Sequence, residues 1–253
     1  ISNEVDILCL QETKTEDQYF PVEVFSKLGY EVSISGQKSY NGVAIISKYQ
    51  IDDVRIGFDQ VISDYTDLSI LNQQKRIISA VINDVRIINV YVPNGSSVNS
   101  DKFIYKEKWI KCLKFYLDKI NSNHMPICLL GDFNIAPEDK DIHTPENYRE
   151  SIMASSKERK LLKDALDGKL EDVFRIFEPG GNNWSWWDYR HSAWDRDKGW
   201  RIDHIYLTED ILSCANSCWI DKAPRSKEKP SDHAPVIVDI SWPPSEIENE
   251  TFF

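Results

Sequence analysis

No run of roughly 18 apolar residues occurs in the 253-residue chain, which excludes a membrane-spanning helix. Its opening, Ile1-Ser2-Asn3-Glu4-Val5-Asp6, has no basic segment leading into an apolar one, so no secretory leader is read there and a cytoplasmic setting is expected. The five cysteines (Cys9, Cys112, Cys128, Cys214, Cys218) include no Cys-x-x-Cys pair, which argues against zinc. Lying mostly inside apolar runs, they read as reduced core thiols. Gly/Ser linkers, low-complexity stretches and short repeats are also missing. One large domain over 1–242 is expected, with 243–253, carrying Pro243-Pro244 and three glutamates, as a frayed tail. Positive charge is in deficit, Lys+Arg 30 against Asp+Glu 41, for a net −11. That excludes a general nucleic-acid binder held by bulk charge but not an enzyme that grips phosphates locally.

What is present is a succession of short apolar runs bounded by turn residues, the pattern of buried strands. Strands are predicted over 5–10, 30–34, 42–47, 76–82, 85–92, 126–130, 184–187, 202–207, 215–220 and 234–240. Asn83-Asp84 is a two-residue hairpin signal between the fourth and fifth. A helix follows Ser100, a candidate N-cap with Asp101 in the first turn, because Phe103, Ile110, Leu113, Leu117 and Ile120 recur at helical spacing. A second helix is expected over 156–166, ending before Gly168. Many strands and few long helices place the chain in the α/β (α+β) class, as a mixed-sheet sandwich covered by helices.

Four polar clusters abut these runs. Gln11-Glu12-Thr13-Lys14 follows Ile7–Leu10, and Gly131-Asp132-Phe133-Asn134 follows Ile127–Leu130. Arg201-Ile202-Asp203-His204 precedes Ile205-Tyr206-Leu207, and Ser231-Asp232-His233 precedes Ala234–Val238. Asp and Asn cap strands and form turns, but four such clusters together point to one site. A rim of Glu12, Asp132, Asp203, Asp232, Asn134 and His233 suits an oxygen-loving cation such as Mg²⁺, and hence phosphate-ester chemistry. Glu12 and Asp232 are candidate metal ligands, and Asp132 is a candidate base that aims water. Asn134 is a candidate amide donor to phosphate. Asp203 favours the imidazolium of His233, a good donor to developing charge. Tyr91 ends a predicted strand and offers a phenol. The basic runs Lys222, Arg225, Lys227, Lys229 and Arg196, Lys198, Arg201 are candidate phosphate contacts beside these clusters. Five of the eight tryptophans fall between residues 184 and 200. Trp194 and Trp200 lie in a polar, basic loop, a setting that suits stacking on sugars or unstacked bases.

Taken in order, the motifs resemble those of exonuclease III-type apurinic/apyrimidinic endonucleases. They are Leu10-Gln11-Glu12-Thr13-Lys14, Tyr91-Val92-Pro93-Asn94-Gly95, Gly131-Asp132-Phe133-Asn134, Trp184-Ser185-Trp186-Trp187-Asp188-Tyr189-Arg190, Gly199-Trp200-Arg201-Ile202-Asp203 and Lys229-Pro230-Ser231-Asp232-His233-Ala234-Pro235. The resemblance implies a four-layer sandwich of two mixed β-sheets flanked by helices. It implies Mg²⁺-dependent hydrolysis (with Mn²⁺ as a substitute) 5′ to an abasic site in double-stranded DNA, with 3′→5′ exonuclease activity and removal of 3′ blocking groups. It implies Glu12 as principal metal ligand, Asp232 as a metal-side carboxylate, Asp132 positioning the nucleophile, and Asn134 with Tyr91 facing phosphate. By the same resemblance Asp203 orients His233, Arg76 and Asn94 contact DNA, and Trp186 and Trp200 wall the pocket for a flipped sugar. A monomer in a bacterial cytosol is expected. Family members also have a strand ending in Asn beside the metal, then a helix, before the Gln-Glu strand. This chain starts almost at that later strand, so the domain is expected to lack that unit of roughly two dozen residues, leaving a sheet edge unpaired. Two alternatives stand beside this reading: a phosphatase of the wider superfamily acting on lipid or inositol phosphates, and a truncated abasic-DNA binder without activity.

Overall fold

The computed structural model describes residues 4–121 and 125–242. In chain order the regular elements are β1 (Ile7–Gln11), α1 (Val22–Ser26), β2 (Glu31–Ser35), β3 (Val43–Ser47), β4 (Asp52–Ile56), α2 (Leu68–Leu71), β5 (Ile77–Ile82), β6 (Val85–Tyr91), α3 (Asp101–Asn121), β7 (Ile127–Asp132), α4 (Ser156–Leu166), β8 (Glu171–Asp172), α5 (Val173–Phe177), β9 (Asp203–Leu207), α6 (Glu209–Leu212), β10 (Ala215–Ile220) and β11 (Val236–Ile240). Six strands form one mixed sheet in the order β4-β5-β6-β7-β9-β8. Only β6 and β7 run parallel, joined through α3 as a parallel pair requires. Facing this sheet are two antiparallel pieces, β1-β3-β2 and β10-β11. Among the described residues β1 bonds a neighbour on one side only.

The period-two side-chain alternation of the central strands divides the core. Ile77, Ile88, Val90, Ile127, Leu129 and Tyr206 turn to one face, where Trp109, Leu113, Tyr116 and Leu117 of α3 and Leu162 and Ala165 of α4 cover them. Ile78, Ala80, Ile82, Ile87, Cys128, Ile205 and Leu207 turn to the other, against Val43, Ile45 and Cys218 of the smaller sheets. The expected sandwich of sheets and helices is therefore the one observed. The hairpin at Asn83-Asp84 is also present, both residues with positive φ (48° and 61°), as the favoured two-residue turn requires. Ser100 Oγ accepts the Phe103 N–H at 3.1 Å and caps α3. At α4 the capping residue is Ser155, in a reciprocal box with Glu158.

The segment 184–187 and β4 depart from expectation, as do β8 and the short helices α1, α2, α5 and α6, where no element was expected. The segment over 184–187 is not a strand. Trp186 makes single bridges to both Trp200 and His233, so its backbone bonds are shared between two irregular loops instead of one ladder. In the other direction β4 escaped notice: its Asp52-Asp53-Val54-Arg55 run is charged, and a bulge lies between Asp52 and Arg55. Both devices protect an edge strand from unwanted pairing and erase the apolar alternation that announces a strand. The tail over 243–253 lies outside the described residues.

One buried polar side chain ties the two layers. Asn89 of β6 is fully buried, and its Nδ2 donates to the carbonyls of Leu10 and Ala44 at 2.9 Å each. Its Oδ1 accepts from Gln11 Nε2 at 2.7 Å. Asn89 thereby sets β1, and with it Glu12, over the end of β6. Asn89→Ala strands two carbonyls between layers. It is expected to lower unfolding free energy by about 1–3 kcal/mol, read from urea unfolding. An unchanged midpoint would mean that apolar contact alone holds the layers.

Candidate active site

Strand register assembles the site. Tyr91 ends β6 opposite Asp132 at the end of β7, and Asp132 in turn pairs with Asp203 at the start of β9. Three chemically useful residues thus stand side by side on one rim. Gly131 makes the close approach possible. Its φ is +138°, and a Cβ there would lie 2.0 Å from the Val90 carbonyl oxygen. Past the strand, Asn134 adopts the left-handed region (φ 49°), which turns its amide groups back onto Asp132. Its backbone N–H reaches Asp132 Oδ1 at 2.8 Å and its Nδ2 reaches Oδ2 at 3.1 Å. Nδ2 also donates to the Val92 carbonyl at 3.0 Å, while Oδ1 accepts from Asn94 Nδ2 at 2.8 Å. Both amide hydrogens of Asn134 are engaged within the protein, so its direct work here is to aim Asp132.

Asp132 is 4% exposed. Burial raises its pKa, the neighbouring Asp203 and Glu12 charges add to that, and His233 with the Asn134 N–H oppose it. The net effect is a rise, which gives a carboxylate basic enough to take a proton from water.

His233 lies on the loop before β11, with Nδ1 at 3.0 and 2.8 Å from the two Asp203 oxygens. Ser185 holds Asp203: its hydroxyl donates to Oδ2 at 2.6 Å and accepts the Asp203 N–H at 3.0 Å. Burial by itself would lower the His233 pKa. The Asp203 charge and hydrogen bond outweigh it, Asp132 and Asp232 add to them, and the imidazole is pushed up to about 10. At neutral pH the ring is an imidazolium. Nδ1–H is committed to Asp203, which leaves Nε2–H as the donor for a substrate.

Glu12, also at positive φ (53°), accepts the Tyr91 hydroxyl and pairs with Lys14 Nζ at 2.7 Å. Burial raises its pKa, but the Lys14 and Tyr91 contacts prevail and hold it below the ordinary carboxylate value. Burial and the Glu12 contact keep the Tyr91 phenol protonated. Arg76 stacks on the Tyr91 ring at 4.4 Å and donates to the Tyr91 carbonyl at 3.1 Å, so it braces the tyrosine. Asn94 is exposed at the rim. Asp232 accepts from Trp186 Nε1 at 2.9 Å.

Asp132, Asp203 and His233 bring ligand atoms within 4.8 Å of one another. As an imidazolium His233 has no lone pair to give, which leaves carboxylates as the donors for a metal. The Glu12 carboxylate already faces a cation, the Lys14 ammonium, and the Asp232 charge acts on both Lys14 and His233. An all-oxygen, acidic donor set of this kind fits a hard divalent cation.

Some expected contacts are committed elsewhere. Arg201 is 1% exposed and pairs with Asp141 (2.6 Å) and Asp172 (2.7 Å), so it is a buried strut instead of a phosphate contact. Arg225 is buried beneath the rings of Trp194 and Tyr189. Trp194 packs edge-on against Trp187 at 4.7 Å. Trp200 is 5% exposed, with Tyr148 edge-on at 5.0 Å and Trp186 at 6.4 Å. Sequence reasoning gave no role to Ser185, although it lies in the tryptophan-rich motif, nor to Lys14, two residues after Glu12.

A two-layer sheet sandwich with a buried acid, an acid-held imidazolium and an acidic rim defines a class of phosphoester hydrolases. Residues 1–233 match the Endonuclease/Exonuclease/phosphatase family, and the chain belongs to that family. It is a metal-dependent phosphodiesterase of that family. It is 37% identical over 247 residues to exodeoxyribonuclease III of Haemophilus influenzae, covering 93% of this chain and 90% of that one. A 3′ phosphatase, NExo, from Neisseria, solved with a product DNA hairpin, superposes with a TM-score of 0.88 at 39% identity, covering 95% and 90% of the two chains. An AP endonuclease from Archaeoglobus fulgidus superposes with a TM-score of 0.87 at 36% identity, again covering 95% and 90%.

The His233–Asp203 pair has a measurable consequence. A histidine whose folded pKa is raised from 6.5 to about 10 adds stability that is complete below about 6.5 and lost as pH rises through about 10. In metal-free protein, NMR titration of His233 is expected to show its midpoint near 10, and Asp203→Asn to bring it back to the ordinary histidine range or lower. A wild-type midpoint near 6.5 would show that the pair does not hold the proton.

Proposed function

We propose that this chain is a Mg²⁺-dependent DNA-repair nuclease that hydrolyses the phosphodiester 5′ to an abasic site and processes blocked 3′ ends. The observation that carries this reading is the set Asp132, Asn134, Asp203 and His233, with a buried base and a charged donor at the ends of adjacent strands. Glu12 and Asp232 would hold the cation, with Mn²⁺ as a substitute for Mg²⁺. When bound, it neutralises phosphate oxygens and activates water. Asp132, aimed by the two Asn134 donors, takes the proton of the attacking water as the water oxygen bonds phosphorus and the bond to the 3′ oxygen breaks; that 3′ oxygen leaves as a hydroxyl, taking a proton from solvent. His233 Nε2–H donates to the charge that develops on phosphate, and Asp203 keeps that proton in place. Tyr91 holds Glu12 in position through its hydroxyl. The names of the related proteins, a 3′ phosphatase bound to DNA among them, support DNA as the substrate.

One observation favours end processing over internal incision as the dominant activity. Trp200, expected as an open wall for a flipped sugar, is covered by Tyr148 and packed among Ile142, Met153 and Ile202. A sugar at a free 3′ end needs less of that wall than one extruded from a duplex.

The test uses two labelled duplexes, one with an internal abasic site and one with a 3′ phosphate, with and without chelator. Mg²⁺-dependent cutting of either supports the nuclease. Cleavage of soluble inositol phosphates without action on DNA would favour a superfamily phosphatase. Binding of abasic duplex with no cutting would favour the inactive binder. On the better substrate His233→Ala is expected to lower turnover by ~10²–10³ with little change in duplex affinity. Wild-type turnover in that variant would remove His233 from the mechanism.

A further inference from the structure

Beneath the site lies a charged pair that is closed to solvent. Lys106 of α3 and Glu158 of α4 are both 0% exposed and meet at 2.5 Å. Besides Glu158, the Lys106 ammonium donates to the carbonyls of Asn134 at 2.8 Å and Asn94 at 3.1 Å, which accounts for its three hydrogens. The second partner is equally committed. Glu158 Oε1 also accepts the Met153 N–H at 3.1 Å, and Oε2 accepts the Ser155 N–H at 3.2 Å and hydroxyl at 2.6 Å. Three loops therefore converge on one pair: the turn after β6, the turn after β7 and the approach to α4. Gly95 makes the passage possible, since a Cβ there would stand 3.2 Å from Lys106 Cδ and 2.9 Å from Ile152 Cδ1.

Stability alone does not account for this pair. Burying two charges costs about as much as their attraction returns, and a well-packed apolar pair often serves a core as well. What apolar residues cannot supply is direction. Lys106 grips the backbone of Asn94 and Asn134, whose side-chain amides bond each other at 2.8 Å. Asn134 in turn donates to Asp132 Oδ2 at 3.1 Å. The third loop joins the same chain of contacts, because Met153 Sδ accepts from Asn94 Nδ2 at 3.3 Å.

We infer that Lys106, clamped by Glu158, is a positioning residue for the hydrolytic site: it sets the Asn94–Asn134 amide pair, and that pair aims Asp132. The inference rests on the nuclease reading for its effect on turnover, but the placement of the two amides can be read without any substrate.

The test replaces the pair with apolar residues, Lys106→Met with Glu158→Leu. This variant is expected to melt below wild type, because it strands the Asn94 and Asn134 carbonyls and the Met153 and Ser155 N–H groups, while turnover of the folded protein on cleavable duplex falls by ~10–100-fold at unchanged KM, the scale of a misplaced catalytic group. In an Asn134→Ala background the same replacement is expected to change turnover no further. Independently of activity, NMR should show the Asn94 and Asn134 side-chain amides exchanging with solvent faster than in wild type, with β6 and β7 backbone amides still protected. If the apolar pair does not fold, Lys106→Gln with Glu158→Gln, neutral and still able to hydrogen-bond but with a shorter reach at 106, carries the same measurements. Unchanged amide exchange overturns the inference, as does an equal turnover loss with and without Asn134. A wild-type protein that cuts no DNA sinks the nuclease reading alone, because amide exchange still decides the positioning.

Discussion

The site depends on one constraint, the hydrogen-bonded register that sets Tyr91 beside Asp132 and Asp132 beside Asp203 across three adjacent strands. Side chains in a sheet alternate faces, so a slip of one residue in β7 would turn Asp132 away from the rim. Apolar packing on both faces of the sheet holds that register. Ile88, Val90 and Leu129 are locked under α3, and Ile87, Cys128 and Ile205 under the smaller sheets. Asn89 then fixes the second layer over the first, which brings Glu12 to the Tyr91 hydroxyl. Chemistry at the rim is thus a consequence of core packing several residues away.

The same sheet end keeps two histidines in opposite states. His204, next to Asp203 in sequence, is buried against Phe133 and Tyr206. Burial, helped by the Arg201 charge, lowers its pKa to about 4, so it is neutral. His233 faces carboxylates and is charged. Burial is the largest influence on both and lowers both; at His233 the hydrogen-bonded Asp203 reverses it, whereas at His204 the Arg201 charge adds to it and Asp172 and Asp141 oppose it without reversing it. The Asp141–Arg201–Asp172 cluster supplies that arginine and also anchors the Trp200 loop.

Much of this was legible in the sequence, because the polar residues of the candidate site directly follow or precede apolar runs. Tyr91, Asp132 and Asp203 could be placed at strand ends by that rule, and His233 on the approach to β11, and the long helix followed from its spacing. Contacts between residues far apart in the chain could not be read. Ser185 lies 18 residues from Asp203, and Lys106 lies 52 from Glu158. A serine between tryptophans or a lysine on an amphipathic helix has a surface-like appearance until tertiary structure closes over it. The tryptophan segment misled in the opposite way. Its alternation suggests a strand, but its backbone partners are two separate loops. Asn134 shows a finer limit: its residue type fits a phosphate donor, and only the geometry shows both amide hydrogens spent inside the protein.

The central claim is that Asp132 is a buried base kept costly for the sake of chemistry. Asp132→Asn retains shape and removes the charge that burial disfavours. Turnover on the cleaved duplex and thermal stability, measured together on that variant, test the claim most directly. The account predicts a turnover loss of ~10²–10⁴, the range for a positioned general base, in protein that stays folded at the assay temperature although one Asn134 hydrogen bond to the side chain is lost. Retained turnover, or a loss that merely tracks unfolding, would contradict it.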